Sequence, residues 1–105
     1  MMGWGIVVVR GRSMEPALRD GDRLLVRWGA RRARPGAVVV VRLPDRPLSI
    51  KRISFRQDGG WWVERDNPAV GVDSWHVGAV PERDLVGIAL LRLAPTVGRI
   101  PHALT

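Results

Sequence analysis

An all-β domain of short strands is the fold class this sequence predicts, and three observations predict it. Short apolar runs recur between Gly, Pro and Asp residues, Val and Ile are abundant within those runs, and no long stretch carries a 3.6-residue period. The 105 residues suffice for a single domain, 1–105, around one modest core, and the 46% hydrophobic share is that of a globular chain.

The first strand is expected at 5–10, "GIVVVR". The second, 22–28, leaves the Asp-Gly turn of "RDGD" (19–22). The third, 36–43, sits between two proline-set turns, "RPG" (34–36) and "LPDRP" (43–47). The fourth, 47–56, runs into "QDGG" (57–60), which should fold it onto the fifth, 60–65, as a hairpin. Strand alternation then sends one of Trp61 and Trp62 inward and the other outward. Residues 66–83 carry the weakest strand signal and read as a long ordered loop, which in so small a domain is usually functional. The last strand is expected at 84–93, and residues 95–105 as a loose tail.

Composition narrows the chemistry. There is no cysteine, so disulfides, thiolate metal sites and a cysteine nucleophile are excluded, and His76 and His102 are the only imidazoles. No cofactor and no metal are expected. The longest apolar runs, "WGIVVV" and "LVGIALL", fall well short of the roughly 20 residues of a membrane helix. The first dozen residues lack the early charge and cleavage site of a signal peptide, so a cytoplasmic location is expected. The formal charge is +7, and "RWGARRARPG" has four arginines within eight residues. A basic nucleic-acid-binding module is therefore an alternative to an enzyme, although no helix-turn-helix, zinc-finger or RNP pattern accompanies the cluster. It would bind nucleic acid in a salt-sensitive way.

Of seventeen basic residues, sixteen are arginine, and Lys51 in "LSIKRIS" is the sole lysine. Arginine holds its proton in a protein, whereas a desolvated lysine can release it. Lys51 follows an apolar stretch of a strand, where burial favours the neutral amine. A neutral lysine beside a serine hydroxyl makes a nucleophile and general-base pair without histidine or metal. Ser13 in "RGRSMEP" is the candidate serine.

Three segments then resemble, in order, the boxes of the signal-peptidase family. "GRSMEPALRDGDRLLV" resembles its serine box, "IKRIS" its Lys-Arg box, and "ERDNPAVGVDSWHVGAVP" its third box; together they span residues 11 to 81. The resemblance implies a serine endopeptidase on a small, partly open antiparallel β-barrel-like fold. It maps Ser13 to the nucleophile and Lys51 to the general base. Arg52, the Asp66–Asn67 pair, and the Asp73–Ser74 pair map to the residues that support them. Gly11, two residues before the serine, implies an oxyanion hole without a side-chain hydroxyl, with the Ser13 N–H as its main donor. Three positions depart from the family pattern. Arg65 stands for a glycine, Gly71 for a serine that would steady the lysine, and Trp75 for the arginine that pairs with Asp73. His76 is assigned no role.

Two strand ends lead into these residues, and they should converge as edges on which an extended peptide pairs. Val7 and Val8 of the first, Ser49 and Ile50 of the second, and Met14 are the expected substrate contacts, favouring a small residue before the cut as the family does. The anchorless form and the "GGWWV…DNP" stretch are most like the nickel-type superoxide dismutase maturation proteases. The implied partner is thus a precursor protein with a short N-terminal leader. General signal-peptidase-like cleavage and SOS-repressor-type self-cleavage are the alternatives within enzymes; the second expects an upstream segment for which there is no room before Ser13.

Overall fold

The structure is a computed structural model that describes residues 3–102. Seven strands, β1 (Trp4–Val8), β2 (Arg23–Trp28), β3 (Val38–Val41), β4 (Ser49–Gln57), β5 (Gly60–Glu64), β6 (Val80–Pro81) and β7 (Leu85–Ala94), form one sheet. Its order is β1-β2-β7-β3-β4-β5-β6, and every pairing is antiparallel. The all-β half-barrel expected from the sequence is what the chain adopts, and its six predicted strands correspond to β1–β5 and β7.

The turns follow from their residues. Gln57 faces Gly60 across a two-residue turn in which Asp58 and Gly59 have φ of 55° and 74°. Paired left-handed residues are what a tight hairpin with native twist requires. At "RDGD", Gly21 has φ 91°, its N–H donates to Val9 O, and Val9 N–H donates to Asp22 O. These two bonds extend the β1–β2 ladder up to the segment that carries Ser13.

The core has two halves because β3 is buried on both faces. Val39 and Val41 pack with Ile53, Trp61, Val63, Val80 and Ile88, whereas Val38 and Val40 pack with Val9, Met14, Leu18, Leu24 and Val26. A strand covered on both faces reads as an unbroken apolar run, which "VVVV" is. Trp61 turns into the first half, and Trp62 stacks on Phe55 instead, with ring centroids 5.7 Å apart.

Two regions differ from expectation. Residues 66–83 are not one loop: a one-turn helix, α1 (Ser74–Val77), and the short strand β6 lie within it, followed by a 3-10 turn from Glu82. Asp73 nucleates α1, since its side chain accepts the Trp75 N–H while His76 Nδ1 accepts the Asp73 N–H. This reciprocal cap holds a helix too short to announce itself by periodicity. Residues 95–102, expected as part of a loose tail, fold back on the sheet. Arg92 and Gly98 exchange backbone hydrogen bonds, Ile100 packs against the second half of the core, and Pro101 O accepts from Arg52. The last three residues of the expected tail, 103–105, lie outside the described residues. No helix among the described residues is long and apolar enough to cross a membrane.

Candidate active site

Ser13 lies in a tight turn just beyond β1, and Lys51 lies near the start of β4. Thirty-eight residues separate them in sequence, and Lys51 Nζ stands 3.1 Å from Ser13 Oγ. Met14, next to the serine, is 1% exposed and locked into the second half of the core with Ala17 and Leu18. It therefore anchors the serine turn from behind, rather than lining the space in front where the sequence placed it. The Ser13 N–H donates to no acceptor among the described residues. Gly11 has φ 81° and gives its N–H to Asp20 Oδ1 at 2.7 Å, so it shapes the turn.

The serine turn is latched from the far side. Asn67 N–H donates to Ser13 O at 2.8 Å, and Asn67 Nδ2 donates to Arg12 O at 3.0 Å. Asn67 is itself held by its neighbour. Asp66 takes two bonds from the Arg52 guanidinium, Nε to Oδ1 at 3.0 Å and Nη2 to Oδ2 at 2.9 Å. Arg52 also reaches Gly36 O and Pro101 O, which ties the loop, the sheet and the C-terminal segment to one buried fork.

Asp73 and Ser74 form a second brace. Ser74 Oγ accepts the Val63 N–H at 2.8 Å, and Asp73 Oδ2 accepts the Arg65 N–H at 3.0 Å. Arg65 also places Nη1 3.0 Å from Asp73 Oδ2. The sequence identified the loss of an arginine at Trp75 and of a glycine at Arg65 as two separate departures. In space they are one exchange, because Arg65 supplies the cation that Trp75 does not. Trp75 is exposed and packs edge-on against Trp62, with centroids 5.2 Å apart.

Lys51 is 4% exposed, and its pKa is lowered from the ordinary 10.5. Burial is the main cause, Asp73 opposes it by favouring the cation, and the positive charges of Arg65 and Arg46 add to the lowering. Sequence reasoning did not identify Arg46 or Arg65 as influences on the lysine. The signal at Arg65 was its position where the family has glycine; Arg46 carried none beyond its place in a proline-rich turn near Lys51.

Gly71 closes over the pair. Its φ is 94°, and a Cβ there would lie 3.0 Å from Ser13 Cβ and 3.9 Å from Lys51 Nζ. A side chain at this position meets backbone strain and the serine together. Gly71→Ala is expected to cost roughly 1–2 kcal/mol of stability from the left-handed backbone. Any activity that depends on the Ser13 hydroxyl should fall by about tenfold or more, because small displacements of a reacting group are expensive. Thermal unfolding and steady-state kinetics on the same preparation separate the two effects, and full activity would show that Gly71 does not set the serine's position.

Ser13 and Lys51 open on a cleft of about 260 Å³ that also includes Arg46, Ser49 and Val70. A larger cleft of about 460 Å³, lined by Pro16, Arg52, Glu64 and Asp66, holds neither of them. Val7 and Ile50 are half-buried against the second half of the core, and Val8 is half-buried at the end of β1. The backbone around them is open. Among the described residues, β1 pairs only with β2, and β5 pairs with β4 only from Arg52 onward, so Ser49–Lys51 has a partner there on the β3 side alone.

A protein-family model described as Peptidase S24-like matches residues 4–85, most of the chain and every residue of the Ser13–Lys51 site. No curated protein matches the chain.

Proposed function

The chain belongs to the Peptidase S24-like family of serine peptidases, and from that membership we propose that it is an endopeptidase in which Ser13 is the nucleophile and Lys51 its general base. The observation that carries this reading is the 3.1 Å approach of Lys51 Nζ to Ser13 Oγ, by a lysine whose burial favours the neutral amine.

The chemistry follows from that geometry. Neutral Lys51 accepts the Ser13 hydroxyl proton as Oγ attacks the scissile carbonyl carbon. The Ser13 N–H, which has no acceptor among the described residues, donates to the oxyanion that forms. The lysine then hands its proton to the leaving amine, and the peptide C–N bond breaks to give an acyl-enzyme. Water, deprotonated by Lys51, then attacks the ester carbonyl carbon, the bond from that carbon to Ser13 Oγ breaks, and Lys51 returns the proton to Oγ. Asp66 and Asn67 hold the serine turn through Arg52 and the backbone, and Asp73 and Ser74 brace the chain beside Lys51.

An extended substrate finds backbone partners on the outer edge of β1 and on the open side of Ser49–Lys51. The proposed substrate is a precursor protein with a short N-terminal leader that carries a small residue before the cut. Likeness to the nickel-type superoxide dismutase maturation proteases makes that dismutase's precursor the first to test. Incubation with the purified precursor should release the leader as one fragment, identified by mass spectrometry, and Ser13→Ala should release none. An intact precursor would remove this substrate from the proposal. Self-cleavage is the second reading that family membership allows, and it predicts loss of intact chain at a rate independent of protein concentration.

The lowered Lys51 pKa fixes the sign of the pH dependence. The amine works only when unprotonated, so kcat/KM should rise with pH through its midpoint and level off above it. That midpoint should lie below 10.5. A rate that falls from neutral to mildly alkaline pH contradicts a lysine base.

A further inference from the structure

The cleft in front of Ser13 is one-sided in charge. Arg10, Arg12, Arg46 and Lys51 are all part of its wall, and no carboxylate is. Asp20 is held by the Gly11 N–H and Asp73 by Arg65, while Glu15 pairs with Arg12 of the wall itself. Arg10 and Arg46 are exposed and have no ion-pair partner among the described residues. Two guanidinium forks without an ion-pair partner among those residues, Arg10 and Arg46, beside that of Arg12, which also meets Glu15, surround one small cleft on the side from which substrate must arrive, an arrangement for an anion.

The anion that a peptidase meets is a side chain of its substrate. Arginine forks match carboxylates in geometry as well as charge. A cleft lined by one sign of charge also raises the local concentration of the opposite charge and speeds its encounter. Extended chain advances about 3.3 Å per residue, so a cleft of this size spans only a few residues on either side of the reacting bond. We propose that Arg10, Arg12 and Arg46 select substrates with an aspartate or glutamate within a few residues of the scissile bond. This deepens the peptidase reading and rests on it. It adds a charge requirement to the small residue before the cut.

Arg46 also helps push the proton from Lys51, so its removal would slow cleavage of every peptide at a fixed pH. A ratio between two peptides cancels that effect. The experiment therefore begins with a synthetic random-sequence peptide library cut by the wild-type protein, with Ser13→Ala as blank and products sequenced by mass spectrometry. A cleaved sequence is then remade in matched pairs, with Asp or Glu near the cut or with Asn or Gln in its place. The expected acid-to-amide ratio of kcat/KM is about fivefold or more at low ionic strength, shrinking as salt is added. The Arg10→Gln/Arg46→Gln double variant should bring the ratio close to one. A wild-type ratio near one, or a ratio that the double variant leaves unchanged, overturns the proposal while the peptidase reading stands. A library in which wild type and Ser13→Ala leave the same products overturns the peptidase reading, and this proposal with it.

Discussion

Ser13→Ala and Lys51→Ala are each expected to abolish cleavage, with kcat falling by at least about a thousandfold, and both proteins should remain folded. Ser13 is only half-buried, and its hydroxyl meets Lys51 rather than a core partner, so its loss leaves no cavity of consequence. The more discriminating variant is Lys51→Arg. Arginine keeps the charge and much of the length, yet it cannot surrender its proton in a protein. The Lys51→Arg protein should be as inactive as Lys51→Ala. If the cation at position 51 merely held the serine in place or steadied an oxyanion, arginine would retain much of the activity. Single-turnover assays that follow peptide products, with circular dichroism of each variant, check both halves of the expectation.

Asp66→Ala should be the most damaging change to stability. It removes both carboxylate oxygens from a guanidinium that is only 8% exposed. A buried charge left without its partner typically costs about 3–5 kcal/mol. In a domain of this size that corresponds to a fall in Tm of more than about 10 °C. The Arg52→Met/Asp66→Leu double variant should be less destabilised than Asp66→Ala alone, because no unpaired charge remains. Activity should not return with stability in the double variant. The loop that carries Asn67 would no longer be tied to β4, and Asn67 holds the backbone of Arg12 and Ser13. A double variant that regained both would show that the fork supports the fold without positioning the serine.

Much of the architecture was legible because the turns are chemically explicit. Asp58–Gly59 could hardly be anything but a tight hairpin, and four consecutive valines can be buried on both faces only in an inner strand. The proximity of Ser13 and Lys51 was legible for a different reason, since a lone lysine among arginines in an apolar strand invites a chemical explanation. Long-range couplings were not legible. Pro101 reaches Arg52 across 49 residues, and no local pattern marks a carbonyl that will meet a buried guanidinium. The exchange of roles between Arg65 and Trp75 was equally hidden, because it shows only once β5 and α1 are side by side. The burial of Met14, expected as a substrate contact, was not legible, because it follows from Ala17 and Leu18 drawing that face of the turn into the core. Helix α1 escaped notice because four residues carry no period, and Asp73 reads equally well as a turn residue.

Composition also offers the most direct test of the account. Lys51 is the only lysine, so selective labelling of lysine side-chain nitrogen gives a protein with one ε-amine resonance, whose titration by NMR needs no assignment. Because kcat/KM reports ionisations of the free enzyme, the two profiles can be compared directly. A titration midpoint below 10.5 that coincides with the rise of kcat/KM is the result predicted for a neutral lysine acting on Ser13. A midpoint at or above 10.5, or one that bears no relation to the activity profile, would contradict it.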